Sequence, residues 1–268
     1  LCNYCKLMLN IVVATIPEAK PIIKFFNLKQ NKLISEFKIF ENYQKTISLI
    51  ISGIGKINAA SAVTYLALKS KTIKNNIWLN IGIAGGKEDI GKLFMINKSI
   101  DYSSKKCWYP SFCFETGIIA KACKTFDIPV FKYENCLNDM ELSGFFSASL
   151  RFSYNELIHS IKIISDNEIE NKTTSDYSFI SILIEPHLKK IEDIIIKLLI
   201  ARSFVNLDDN IRNEANIYFE RNKLKKKDEE EILYLLYKWN LHKKKNIDIK
   251  YFSGKEILKV LRIKNCYD

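Results

Sequence analysis

Residues 46–69, TISLIISGIGKINAASAVTYLALK, decide the fold. Thr46 to Ile51 is an apolar run rich in β-branched side chains, which reads as a buried strand. Ser52, Gly53, Ile54 and Gly55 break it. From Ile57 the spacing becomes helical, and Ala59, Ala60, Ala62 and Ala67 are small enough for that helix to lie close on a sheet. A strand, a glycine turn and a helix in immediate succession form the repeating unit of an α/β sheet.

The same unit recurs on either side. Residues 9–16 read as another buried strand, Pro17 opens a helical pattern that runs to Phe26, and residues 34–40 alternate like a half-exposed strand. Residues 77–83 form a strand closed by Ala84, Gly85 and Gly86, and residues 93–102 a further strand. Residues 117–126 look like a helix that stops before Pro129. Residues 141–151 are helical, with Ser143, Gly144, Ser147 and Ala148 on one small-residue face, and residues 158–164 make the last strand. From Tyr177 the pattern is helical almost to the end, interrupted at Pro186 and at residues 206–210. The expected fold class is α/β: a three-layer αβα sandwich with a central mixed, mostly parallel twisted sheet, plus a C-terminal helical extension. The core is expected at 9–174 and the extension at 175–268, packed on the core or appended to it.

Composition narrows the function classes. With 268 residues and 47% hydrophobic content the chain can bury a sizeable core. Its longest apolar runs, such as residues 194–200, fall well short of the roughly 20 residues of a membrane span. Residues 1–8 lack the charged head and long apolar stretch of a secretory leader, so a cytoplasmic location is expected. Seven cysteines, at 2, 5, 107, 113, 123, 136 and 266, are an odd, scattered set and read as reduced thiols. Cys2 and Cys5 form a C-x-x-C with no second pair or neighbouring histidine to complete a zinc site, so neither metal nor other cofactor is expected. The net charge of +11 invites a nucleic-acid reading, and residues 187–268, with 19 Lys plus Arg against 13 Asp plus Glu, are the more basic part. There, however, Lys225, Lys226 and Lys227 run straight into Asp228, Glu229, Glu230 and Glu231. Alternating charge blocks mark solvated helix faces, and nucleic-acid binding is the less favoured reading.

Three acidic motifs carry the chemistry. Glu18 follows Pro17 after the first strand, Asp139, Met140 and Glu141 open a helix, and Ser165, Asp166 and Asn167 end the last strand. The first and last lie at the ends of predicted strands, where open α/β sheets place their ligands, and the middle one opens a helix at a comparable place. The glycine turns at 52–55 and 82–86 lie at comparable positions, and neither fits a dinucleotide fingerprint or a P-loop. The carboxylates of Glu18, Glu141 and Asp166 are expected to converge on one pocket.

Together, ATIPE at 14–18, SGIGKINAA at 52–60, GIAGG at 82–86, DME at 139–141 and ISDN at 164–167 resemble the purine nucleoside phosphorylase and nucleosidase superfamily, most of all its methylthioadenosine/S-adenosylhomocysteine nucleosidases. The resemblance spans about residues 9–172, and DMELSGF at 139–145 is similar to a divergent subgroup with a C-terminal helical extension. It implies hydrolysis of the N-glycosidic bond of a purine (deoxy)nucleoside or a 5′-thio-substituted adenosine, with a homodimer as the working form. Asp166 would protonate purine N7, Glu18 would deprotonate water, and Glu141 would accept hydrogen bonds from the ribose hydroxyls while Met140 packs on the sugar. Ser52, Gly53, Gly85 and Ser165 would complete the substrate site, with Lys56 as a neighbour.

Water is preferred over phosphate as the nucleophile because the first arginine is Arg151, leaving none at the early turns where phosphorylase relatives clamp phosphate. The alternatives are a phosphate-dependent nucleoside phosphorylase and a non-catalytic nucleoside-binding relative acting through its helical tail. One departure from the family concerns the base. Only residues 128–138 fill the interval that supplies the base-stacking aromatic, so the base pocket is shorter, open, or built from the aromatic loop at 108–112. His159, His187 and His242 read as surface or internally satisfied side chains.

Overall fold

The computed structural model describes residues 9–34, 36–70, 75–169, 177–205, 209–243, 252 and 256–265. Cys2, Cys5, Cys266, Lys244, Lys245 and the interruption at 206–208 lie outside them. Ten strands pair into one sheet: β1 (Leu9–Val13), β2 (Lys29–Gln30), β3 (Lys38–Glu41), β4 (Ile47–Ile51), β5 (Ile77–Gly85), β6 (Leu93–Asp101), β7 (Cys107–Trp108), β8 (Ala120–Thr125), β9 (Leu137–Asp139) and β10 (Ile158–Asp166). The helices are α1 (Ile16–Phe25), α2 (Lys56–Ser70), α3 (Leu142–Ser149), α4 (Tyr177–Ile184), α5 (Leu188–Val205), α6 (Asp209–Asn222), α7 (Lys226–Lys243) and α8 (Glu256–Asn265).

β1 lies between β4 and β5, parallel to both, as the apolar character of all three strands demands. β5 continues in parallel to β10, which pairs antiparallel with β6; β6 then runs parallel to β8, β8 parallel to β9, and β9 returns antiparallel to β5. Five strands therefore close into a ring, while β1, β4, β3 and β2 fan out from it as an open flank. Among the described pairings five are parallel and five antiparallel, so the sheet is mixed without the expected parallel majority.

Residues 120–125 are strand β8, not the helix that their Ala and Lys content suggests. Cys123 and Thr125 are fully buried on one face, and the segment is paired on both sides, by β6 and β9. Tertiary pairing here overrides local propensity.

One apolar cluster joins the sheet to α2 and α3, through Val12, Ile50, Trp78, Ile96 and Ile164 from the strands and Ala59, Val63, Leu66, Phe145 and Phe146 from the helices. The two helices approach so closely that a Cβ at Gly144 would stand 1.8 Å from the Lys56 carbonyl oxygen. Of the small-residue face read on α3, Gly144 makes this contact, while Ser147 is exposed.

The chain divides into two compact units, Leu1–Ala201 and Arg202–Asp268. α4 and α5 as far as Ala201 belong to the first: Ser181 Oγ donates to the Pro17 carbonyl at 2.8 Å, a ring nitrogen of His187 bonds the Gly91 carbonyl at 2.7 Å, and Lys197 Nζ donates to the Glu115 carbonyl at 2.8 Å. The division thus falls later than residue 175. In the second unit α7 and α8 pack through Ile232, Leu235 and Leu236 against Ile257, Leu258 and Leu261, with Arg262 paired to Glu231 at 2.7 Å. No helix among the described residues is long and apolar enough to cross a membrane. Cys107, Cys113, Cys123 and Cys136 are free thiols.

Candidate functional site

Glu18 is fixed by the start of α1. Thr15 is the N-cap with extended backbone, Pro17 supplies a fixed φ in the first turn, and Glu18 at N3 reaches back to the cap. Its Oε2 accepts from Thr15 N at 2.7 Å and Thr15 Oγ at 2.9 Å, and its Oε1 accepts from Ile83 N at 3.0 Å. A carboxylate offers about four acceptor positions. Three are filled, and the one left is on Oε1. A Cβ at Gly82 would lie 2.8 Å from that oxygen, so glycine in β5 is what lets Glu18 sit against the strand.

Glu141 sits where β9 hands over to α3. Gly55, at φ +106°, turns its N–H onto Glu141 Oε1 at 2.9 Å. The turn at 52–55 therefore serves to hold a carboxylate, and the conformation is one that favours glycine. Burial, together with Asp139 and Glu18 nearby and against the pull of Lys162 and the Gly55 N–H, raises the Glu141 carboxyl to about 7.

Beneath Glu141 lies a buried ion pair absent from the sequence reading. Lys162, with a side chain only 1% exposed, bonds Asp139 Oδ2 at 2.8 Å. Asp139 also accepts from Thr125 Oγ at 2.7 Å and Leu142 N at 2.9 Å, which pins the start of α3. Burial opposes a charge on Lys162, but Asp139 and Glu141 outweigh it and hold the ammonium above its usual range. A lysine set among Ile161, Ile163 and Ile164 in a predicted strand was the available signal.

Asp166 ends β10 at a bulge. The register with β5 shifts between Ile164 and Asp166, and Gly86 N donates to the Asp166 carbonyl at 3.0 Å. Such a shift re-aims side chains at a strand end. Ser165 Oγ bonds Asp166 Oδ1, and Tyr133 Oη bonds Asp166 Oδ2.

These elements enclose a cavity of about 290 Å³, lined by Glu18, Glu141 and Asp166 with Gly85, Met140 and Ser165. Six of the eight residues singled out from the sequence thus meet in one place. Ser52 and Gly53 are not part of the lining: Ser52 Oγ bonds the carbonyls of Val13 and Gly53, and the two residues set up the turn that delivers Gly55. Lys56 is turned to Asp101 and Asp127, at 3.0 and 2.9 Å.

The remaining wall is mostly apolar, with Thr15, Asn138 and Asp139 as its polar members. Phe126, Ile128, Pro129, Val130 and Phe131 come from the short segment before β9, and Ile180 comes from α4. Asn138 Nδ2 ties that segment down through the carbonyls of Lys132 and Val130, at 3.2 and 3.4 Å. The aromatic loop at 108–112 is elsewhere, with Phe112 against His159 at 5.1 Å and the Tyr109 carbonyl bonded by Asn155. Of the open choices for the base side, the short segment is the one that borders the cavity. His159 is buried, its proton affinity lowered to about 4 by that burial, and bonded to the Glu156 carbonyl.

No protein-family model matches the chain, and no curated protein matches it in sequence. Solved structures do match it in shape. The 5′-methylthioadenosine nucleosidase of Arabidopsis thaliana superposes with a TM-score of 0.59 at 15% identity, covering 72% of this chain and 96% of that one. A Helicobacter pylori 5′-methylthioadenosine/S-adenosylhomocysteine nucleosidase gives 0.59 at 16% identity, over 72% and 99%. The futalosine hydrolase of the same organism gives 0.59 at 16%, over 72% and 98%. The chain has the mixed α/β fold of these nucleosidases and hydrolase, as its five sequence motifs led one to expect.

Proposed function

We infer that the protein hydrolyses the N-glycosidic bond of a purine nucleoside or deoxynucleoside, with 5′-thio-substituted adenosines in the same substrate class. The observation that carries this reading is the meeting of Glu18, Glu141 and Asp166 on one cavity with a mostly apolar wall. Its volume, about 290 Å³, is near the lower end of the roughly 300–1,000 Å³ typical of small-molecule sites, a size suited to one nucleoside.

Cleavage of this bond passes through a ribosyl cation, so the base must leave protonated, the sugar must be held and water must be activated. Asp166 gives its proton to purine N7, a contribution typically worth about 10² to 10⁴ in rate. Glu18 uses its remaining Oε1 position to take a proton from water. Glu141 accepts from the ribose hydroxyls, Met140 packs on the sugar, and Phe126 and Phe131 supply aromatic surface for the base. Water is the nucleophile because, among the described residues, no Lys or Arg lines the cavity, and Lys56 and Lys162 are already bound to carboxylates. A homodimer and a cytoplasmic location are the working state that goes with this reading.

The test is release of free base from methylthioadenosine, S-adenosylhomocysteine, adenosine and inosine, with and without inorganic phosphate. Release from at least one of them independent of phosphate is expected; strict phosphate dependence would make the protein a phosphorylase.

A further inference from the structure

Building on the hydrolase reading, we propose that Tyr133 is a positioning residue for the leaving-group proton: its hydroxyl ties Oδ2 of Asp166 and so reserves Oδ1 as the oxygen that hands the proton to the base. Tyr133 belongs to the irregular segment between β8 and β9, the same segment that borders the cavity with Val130 and Phe131. It is only 3% exposed, and its Oη is bonded to Asp166 Oδ2.

Gly85 makes room for this pair. A Cβ there would stand 2.5 Å from Tyr133 Cε1 and 2.6 Å from Asp166 Oδ2. The backbone at Gly85 is not among the positive-φ positions, so glycine is needed here for space rather than for conformation. Burial first, and the bond to Asp166 second, hold the phenol above its ordinary range, which keeps it a donor at working pH.

The other oxygen is free to change state. Ser165 Oγ bonds Oδ1 and has a second acceptor in the Ala84 carbonyl at 3.4 Å. When Oδ1 carries the proton, the serine hydroxyl turns to Ala84; when Oδ1 is bare, it turns back. In the forward step the proton moves from Oδ1 to N7 and the electron pair of the C1′–N9 bond goes to the base. The water oxygen bonds C1′ and its proton goes to Glu18. Exchange with solvent then returns a proton to Asp166 and removes one from Glu18.

The experiment compares Tyr133→Phe with wild type on a purine nucleoside and on 4-nitrophenyl β-D-ribofuranoside, whose leaving group departs without a proton. The expected result is a fall in kcat of about tenfold or more on the nucleoside, with KM and the nitrophenyl rate changed by less than about twofold. Equal losses on both substrates, or no loss on either, would overturn the proposal, since a purely structural tyrosine would not separate them. If Tyr133→Phe does not fold, replacing all tyrosines by 3-fluorotyrosine keeps ring and hydroxyl and changes donor strength. An altered nucleoside-to-nitrophenyl rate ratio then supports the role and an unaltered one refutes it. Wild-type protein inactive on every nucleoside would instead remove the hydrolase reading itself, and this proposal with it.

Discussion

Glu18 closes the first turn of α1 and faces the cavity with the same carboxylate, so its position is set by helix capping before any ligand arrives. Glu141 shows the opposite economy: it is buried beside Asp139 and Glu18, and its proton is held to about 7. An acceptor of ribose hydroxyls must be ionised, so KM for a nucleoside is expected to rise as pH falls below about 7, and Glu141→Gln to flatten that dependence. Stability runs with the other sign. The folded chain binds the proton more tightly than the ordinary value of 4.5, so the ligand-free protein is favoured at low pH and loses that contribution as pH rises from 4.5 to about 7. His159, lowered to about 4, gives both proteins an opposite slope below its ordinary 6.5, so the prediction concerns the difference: in urea unfolding the stability of wild type relative to Glu141→Gln should fall as pH rises from 4.5 to about 7. Glu18 and Asp166 were legible because each follows a predicted strand; Glu141, whose preceding strand β9 was not read from the sequence, was legible only through the DME motif. Tyr133, Lys162 and Gly55 were not, since their roles rest on contacts between segments far apart in sequence, Gly55 reaching Glu141 and Lys162 reaching Asp139.

At the scale of elements, two contacts fix the walls of the site. Pro21 inside α1 has no N–H for the carbonyl four residues back, that of Pro17, and Ser181 of α4 fills the vacancy at 2.8 Å. This docks α4 beside α1 and brings Ile180 to the cavity. Ser181→Ala should cost about 1 kcal/mol in a denaturant titration, the usual worth of one such bond. The α2–α3 contact is stricter. Gly144→Ala would place a methyl 1.8 Å from the Lys56 carbonyl oxygen, and the required shift should destabilise by about 1–3 kcal/mol, read as a lower urea midpoint at unchanged m-value. Strands β1, β4 and β5 and helices α1 and α2 were readable because apolar runs and small-residue faces report burial directly. β8 was not: AKACKT has helix-forming composition, and what makes it a strand is pairing by β6 and β9 on its two sides.

For the molecule as a whole, the closed ring of β5, β10, β6, β8 and β9 explains how motifs at residues 18, 141 and 166 reach one place: β5 carries Gly82 and Gly85, β10 ends at Asp166, and β9 delivers Glu141. Ring closure depends on antiparallel returns that strand-by-strand reading of a sequence does not reveal. Every described residue that lines the cavity belongs to the unit Leu1–Ala201. A chain ended after Ala201 should therefore keep base release within about tenfold of the full chain, by the usual independence of compact units. The central claim is that three carboxylates divide one hydrolysis among them. Its most direct test is base release in phosphate-free buffer by wild type, Glu18→Gln, Glu141→Gln and Asp166→Asn, each checked for cooperative unfolding. The account predicts release by wild type and a loss of about 100-fold or more in each folded variant; wild-type rates in any one of them, or no base from the wild type, would contradict it.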